Sequence, residues 1–218
     1  MSSNGIFGVD SGLMRGLTFL SDMFLIGLLW LTFCLPIVTI GASTTAAYYA
    51  MMKVVHKKTG YITREFFKSF KMNFKDSLIF TVIYSVIGFL LVYNTLQMYY
   101  SLVEQDTDIK FYLMFAYFVL FLLLLALVMY TFPALSRYTM TRMKLFRFAL
   151  YATFRHIFIT ILGLIAIVLS VALVLVFPPI LIILPGLLMY VFTILVERIL
   201  RKYMTKEMLD QWDGTTEL

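Results

Sequence analysis

Few residues in this sequence have types suited to chemistry. His56 and His156 are its two histidines and Cys34 its single cysteine. The histidines flank uncharged runs, where a shared metal is conceivable, but no further cysteine or histidine exists to complete a zinc-type ligand set. Two unrelated interfacial histidines are expected, with no metal site and no disulfide, and Cys34 reads as a small apolar filler. The carboxylates gather in polar connections without a nucleophile motif. No phosphate-binding loop, dinucleotide fingerprint or HExxH helix is present. The expectation is a chain with no catalytic residues and no cofactor, not an enzyme.

Two stretches keep polar character. TIGASTT, Thr39 to Thr45, is the most polar run between long apolar ones. Its small residues suit close helix packing, with Pro36, Thr39, Gly41, Ser43 and Thr44 forming a helix-turn packing surface. Alternatively its hydroxyls line a small ion or substrate site beside a broken helix, with Asp22 as a coupling carboxylate. Asp22 lies close enough to the start of its helix to reach the interface instead. The second stretch is Ile62 to Lys75. On a 3.6-residue repeat Ile62, Phe66, Phe70, Asn73 and Phe74 share one face, with Phe67 at its edge and Arg64, Lys68, Lys71 and Lys75 opposite. Such a helix lays its rings among lipid headgroups and offers lysines to anionic lipid, or docks on another subunit. Nucleic acid is not expected of a short basic loop beside a bilayer.

The elements that must position these residues are membrane helices. Of 218 residues 61% are hydrophobic and 14% charged, outside the soluble range. Uncharged or nearly uncharged runs predict spans at about 17–35, 42–55, 77–98, 111–135, 157–177 and 180–198. Pro36 and Gly41 break the first run, and Pro178 with Pro179 the last. The 42–55 helix is short and crosses fully or only in part, so five to six helices cross. The fold class is an all-α polytopic bundle with a basic amphipathic cytoplasmic helix. Residues 1–16 form a lead segment without a cleaved signal peptide, 17–203 the transmembrane domain and 204–218 a cytoplasmic tail.

Of 18 Lys and Arg residues, seven lie between Lys53 and Lys75, five between Arg137 and Arg155, and four between Arg198 and Lys206. Those regions are therefore expected to be cytoplasmic. Glu197 and Arg198 are expected to make interfacial contacts. Phe146, Leu150, Phe154 and Arg155 repeat the spacing of Phe66, Phe70, Phe74 and Lys75, which suggests an internal repeat.

LPIVTIGASTTAAYYAM followed by YITREFFKSFKMNFKDS resembles the YesL-like family of bacterial integral membrane proteins, a domain of unknown function. The resemblance rests on Pro36, Thr39, Gly41 and Ala42 in the turn, and on Phe66, Phe67, Asn73 and Phe74 in the basic loop. It implies an accessory role beside a carbohydrate ABC importer in the cytoplasmic membrane, with membrane lipid, permease subunits and their ATPase as partners. It also admits modulation of a two-component sensor kinase. A small stand-alone transporter is the third expectation.

Overall fold

The computed structural model describes residues 12–104, 108–138 and 140–204. Among these the chain is helical, without a strand: α1 Gly12–Cys34, α2 Ile40–Ala50, α3 Ile62–Glu104, α4 Asp108–Arg137, α5 Arg142–Arg155, α6 Ile157–Val176 and α7 Leu184–Tyr203. Four segments are long and apolar enough to cross a membrane, Gly16–Cys34, Ile62–Leu102, Ile109–Arg137 and Ile157–Val176. The chain is an all-α membrane protein. The expected lead and tail fall mainly on residues 1–11 and 205–218, outside the described residues, and α1 already begins at Gly12.

The expected spans at 42–55 and 180–198 correspond to α2 and α7, which are not among those four. Their composition follows from their position. α2 packs against α1, α3, α4 and α7, and Gly41, Ala42, Ser43, Thr45, Ala46, Ala47 and Tyr48 are all buried. A helix enclosed by other helices needs small residues and paired polar groups rather than lipid-compatible bulk. α7 likewise buries Thr193, Glu197 and Leu200. α6, by contrast, buries only Thr160 and Gly163 and presents Phe158, Leu162, Val168 and Leu169 outward, as a helix apolar all round does in lipid.

Pro36 ends α1, and a 3-10 turn, Ile37–Thr39, starts the return. The Thr39 hydroxyl donates to the carbonyls of Phe33 and Pro36 at 2.6 and 2.7 Å, satisfying groups that the proline break leaves open. α2 continues as a π-helix, Met51–His56. α1 meets α7 and the 3-10 turn before it, Pro178–Ile182, through glycines. A Cβ on Gly27 would strike the Ile182 carbonyl, and one on Gly186 the Met23 backbone.

The basic segment is not a separate interfacial helix. Ile62–Lys75 and the expected 77–98 span form one helix of 43 residues, on the order of 65 Å long. No proline or glycine interrupts TREFFKSFKMNFKDSLIF, so nothing stops the helix between the two. A bilayer core of about 30 Å accommodates only part of that length. The matching segment Arg142–Arg155 does end, at His156 with φ −116° and ψ 48°. The two segments that suggested a repeat thus differ: one runs into its span and the other breaks before it.

Candidate functional site

The phenylalanine face of α3's first turns is largely taken up inside the molecule. Phe66 is fully buried and Ile62 is buried. Phe33 of α1 sits among Phe66, Phe67 and Phe70 with ring centroids 5.7, 5.2 and 5.2 Å away, and Phe70 meets Phe74 at 5.5 Å. Asn73 turns back on its own helix, donating to the Ser69 carbonyl at 3.1 Å. Arg64, Lys68, Lys71 and Lys75 are exposed. Beside them Tyr61, Phe67 and Met72 remain exposed. What α3 offers outward is a basic ridge edged by three apolar side chains, on a helix fixed by an aromatic cluster beneath.

The TIGASTT hydroxyls all bond within the bundle. Ser43 donates to the Trp30 carbonyl at 3.1 Å, and Thr44 donates to the Ile40 carbonyl while accepting from Trp30 Nε1 at 3.1 Å. Thr45 and Ser77 share a hydrogen bond at 3.3 Å. Gly41 lies where a Cβ would meet Thr81 and Phe132, so α2 comes close to α3 and α4 there. Asp22, half-buried, lines a cleft with Thr18, Lys58, Tyr61 and Thr63, apart from these hydroxyls.

Glu197 is buried within the bundle. Arg137 of α4 donates from Nη2 to Glu197 Oε2 at 2.7 Å, with an Arg137 side chain that has no exposed surface. Tyr48 of α2 donates to the same oxygen at 3.2 Å, and Arg201 donates to Oε1 at 3.1 Å. The Arg137 guanidinium also lies 5.9 Å from the Tyr48 ring centre. One carboxylate thus gathers donors from α2, α4 and its own helix. Nothing in the sequence distinguishes Arg137 from the other basic residues of its region or Tyr48 from the other tyrosines. The available signal was a lone acid near the end of an apolar run, because such a charge requires a partner.

Two further contacts tie the basic regions together. Asp76 of α3 accepts from Arg142 Nε at 2.7 Å, and His156 Nε2 lies 3.3 Å from the Tyr203 hydroxyl. His56, the last residue of the π-helix, stacks on Tyr190 with centroids 5.3 Å apart, and its Nε2 lies 2.8 Å from the Thr193 hydroxyl. The two histidines thus serve different contacts. Among the described residues no group of three or more His, Cys, Asp or Glu could hold a metal.

Residues 23–95 match the family described as a protein of unknown function, DUF624. The match takes in the turn at Pro36, the whole of α2 and the basic ridge of α3, but neither Arg137 nor Glu197. No curated protein and no solved structure matches the chain.

Burial lowers the pKa of His56 below its ordinary 6.5, with Glu197 opposing the shift and Arg137 adding to it. The folded chain therefore binds a proton at His56 less readily than the unfolded chain. This contribution to stability is complete above pH 6.5 and is lost progressively as pH falls below it. The thermal midpoint in detergent should drop from about pH 7.5 to about pH 5.5, and His56→Gln should flatten the slope. His156, lowered by burial and by Lys202 and Arg155, adds a slope of the same sign, which a His156→Gln control isolates. An unchanged slope in His56→Gln would show that His56 does not contribute.

Proposed function

We propose that this chain is a non-catalytic membrane subunit that docks on the permease subunits of a carbohydrate ABC importer. The single observation behind the docking is the exposed basic ridge of α3. Arg64, Lys68, Lys71 and Lys75 stand on a helix too long for the bilayer core and braced from below by Phe33, Phe66 and Phe70. A helix continuous with a membrane span does not lie flat among headgroups, as a separate amphipathic helix does. It presents its ridge to a protein surface, and the permeases' ATPase lies within the same reading as a second contact of that ridge.

The carbohydrate importer as partner and the bacterial cytoplasmic membrane as location rest on the resemblance to the YesL-like family, and the cytoplasmic side for the ridge on the clustering of Lys and Arg. The match to a family of unknown function is compatible with that resemblance. Phe67, Met72 and the lysines are the docking residues, while Phe66 and Phe70 hold the ridge in place.

Purification of the tagged protein from native membranes in mild detergent, with mass spectrometry of every co-eluting chain, tests the reading. Permeases should co-elute, and Lys68→Glu with Lys71→Glu should reduce their recovery roughly tenfold or more while the variant folds normally. A sensor kinase in place of permeases would move the protein to signalling. Reproducible elution alone would defeat the subunit reading. A stand-alone transporter is favoured by one observation, the ion pair buried among α2, α4 and α7, because charges inside membrane bundles commonly mark transport pathways. Uptake by the purified protein in liposomes would establish that alternative.

A further inference from the structure

We infer that the groove between α3, α4 and α5 is a binding site for an anionic phospholipid. Its volume is about 540 Å³, within the range of ligand sites. Ile79, Ile83 and Ile87 form one wall, Leu120 and Leu124 the other, and Arg142 stands at the α5 end. Both walls belong to helices apolar enough to cross a membrane, so the groove opens toward lipid. From Ile79 to Leu91 it runs about 18 Å, close to the roughly 15 Å depth of one leaflet's hydrocarbon.

The chemistry of the lining selects the occupant. Tyr84 adds a hydroxyl, but that group is already bonded to Thr131 at 2.9 Å, leaving an apolar wall along the length of the groove. The exposed polar group is the Arg142 guanidinium. Its Nε bonds Asp76 at 2.7 Å, while its two terminal amino groups remain to grip an anion in the forked manner that phosphate favours. Lys75 and Lys144 flank the pair in sequence and are exposed, and α5 itself contains no acidic residue. A ligand that is apolar along one leaflet's depth and anionic at one end fits this arrangement. A neutral amphiphile satisfies the walls but leaves the arginine fork unused.

Native mass spectrometry in detergent, with phosphatidylglycerol or phosphatidylcholine of identical acyl chains, tests the site. Phosphatidylglycerol should bind more tightly, and Arg142→Gln should weaken it roughly tenfold with little effect on phosphatidylcholine. Ile83→Trp places bulk at an exposed position of the groove, where folding is not at stake, and should weaken both lipids. Asp76→Asn separates headgroup binding from support of α5. If Arg142 grips the phosphate, this variant keeps or strengthens the preference for phosphatidylglycerol. If it behaves like Arg142→Gln, the pair only holds α5 in place and the inference fails. Equal binding of the two lipids by the unaltered protein, or unchanged binding by Ile83→Trp, would also overturn it. A probe at Leu120 that cross-links in native membranes to another protein instead of lipid would assign the groove to a partner helix.

Discussion

Replacing Arg137 with alanine should cost about 3–5 kcal/mol of stability, read as a large fall in the unfolding midpoint in detergent. The substitution leaves Glu197 buried, with Tyr48 as its remaining contact from another helix and Arg201 as its neighbour on α7. Desolvation of that carboxylate is no longer offset by the 2.7 Å pair, and the loss falls where α2, α4 and α7 meet. The double variant Arg137→Met, Glu197→Leu should recover most of the stability, because two apolar side chains of similar volume need no solvation. If Arg137→Ala loses less than about 1 kcal/mol, the pair behaves like a solvated surface contact and this account of the bundle centre is wrong. The comparison also bears on the transporter alternative. A double variant that folds well but no longer supports uptake in liposomes would assign the pair a task beyond stability.

Phe66→Ala should be comparably damaging, about 3–5 kcal/mol, because Phe66 is fully buried against Phe33 and Phe70 and the cavity cannot be filled by one neighbour. Phe67→Ala, one residue on, should cost much less, under about 1 kcal/mol, since that residue is 38% exposed. The two variants separate anchoring from docking. Phe67→Ala should reduce recovery of a partner while leaving the unfolding midpoint close to that of the unaltered protein. Phe66→Ala should lower the midpoint first, with partner loss following from the loosened helix. Equal stability of the two variants would mean that the aromatic cluster does not brace the ridge. The ridge would then be free to swing, and an interfacial role for it would regain its place.

The period of Ile62, Phe66, Phe70 and Phe74 correctly groups an apolar face, yet it does not say what covers that face. Lipid, a partner and Phe33 of the same chain satisfy the same pattern. The division between a basic helix and a following span fails for a related reason. The change from charged to uncharged residues at Asp76 marks a change of surroundings, and without a proline or glycine the backbone has no cause to break there. Pro36 does carry such a cause, and the helix ends where it stands.

Helical, membrane-embedded character, the courses of α4 and α6, the end of α1 and the turns at Pro36 and Pro178 are all legible in the sequence. Run length, charge and proline chemistry act locally, so they are legible residue by residue. Tertiary packing alone sets that α2 is enclosed by other helices, that α7 buries one side while Val191 and Ile194 stay exposed, that Glu197 meets Arg137 sixty residues away, and that Phe66 is an internal brace. Burial and ion pairing depend on which distant helix arrives at a given face. Composition limits those arrivals, but packing selects among them.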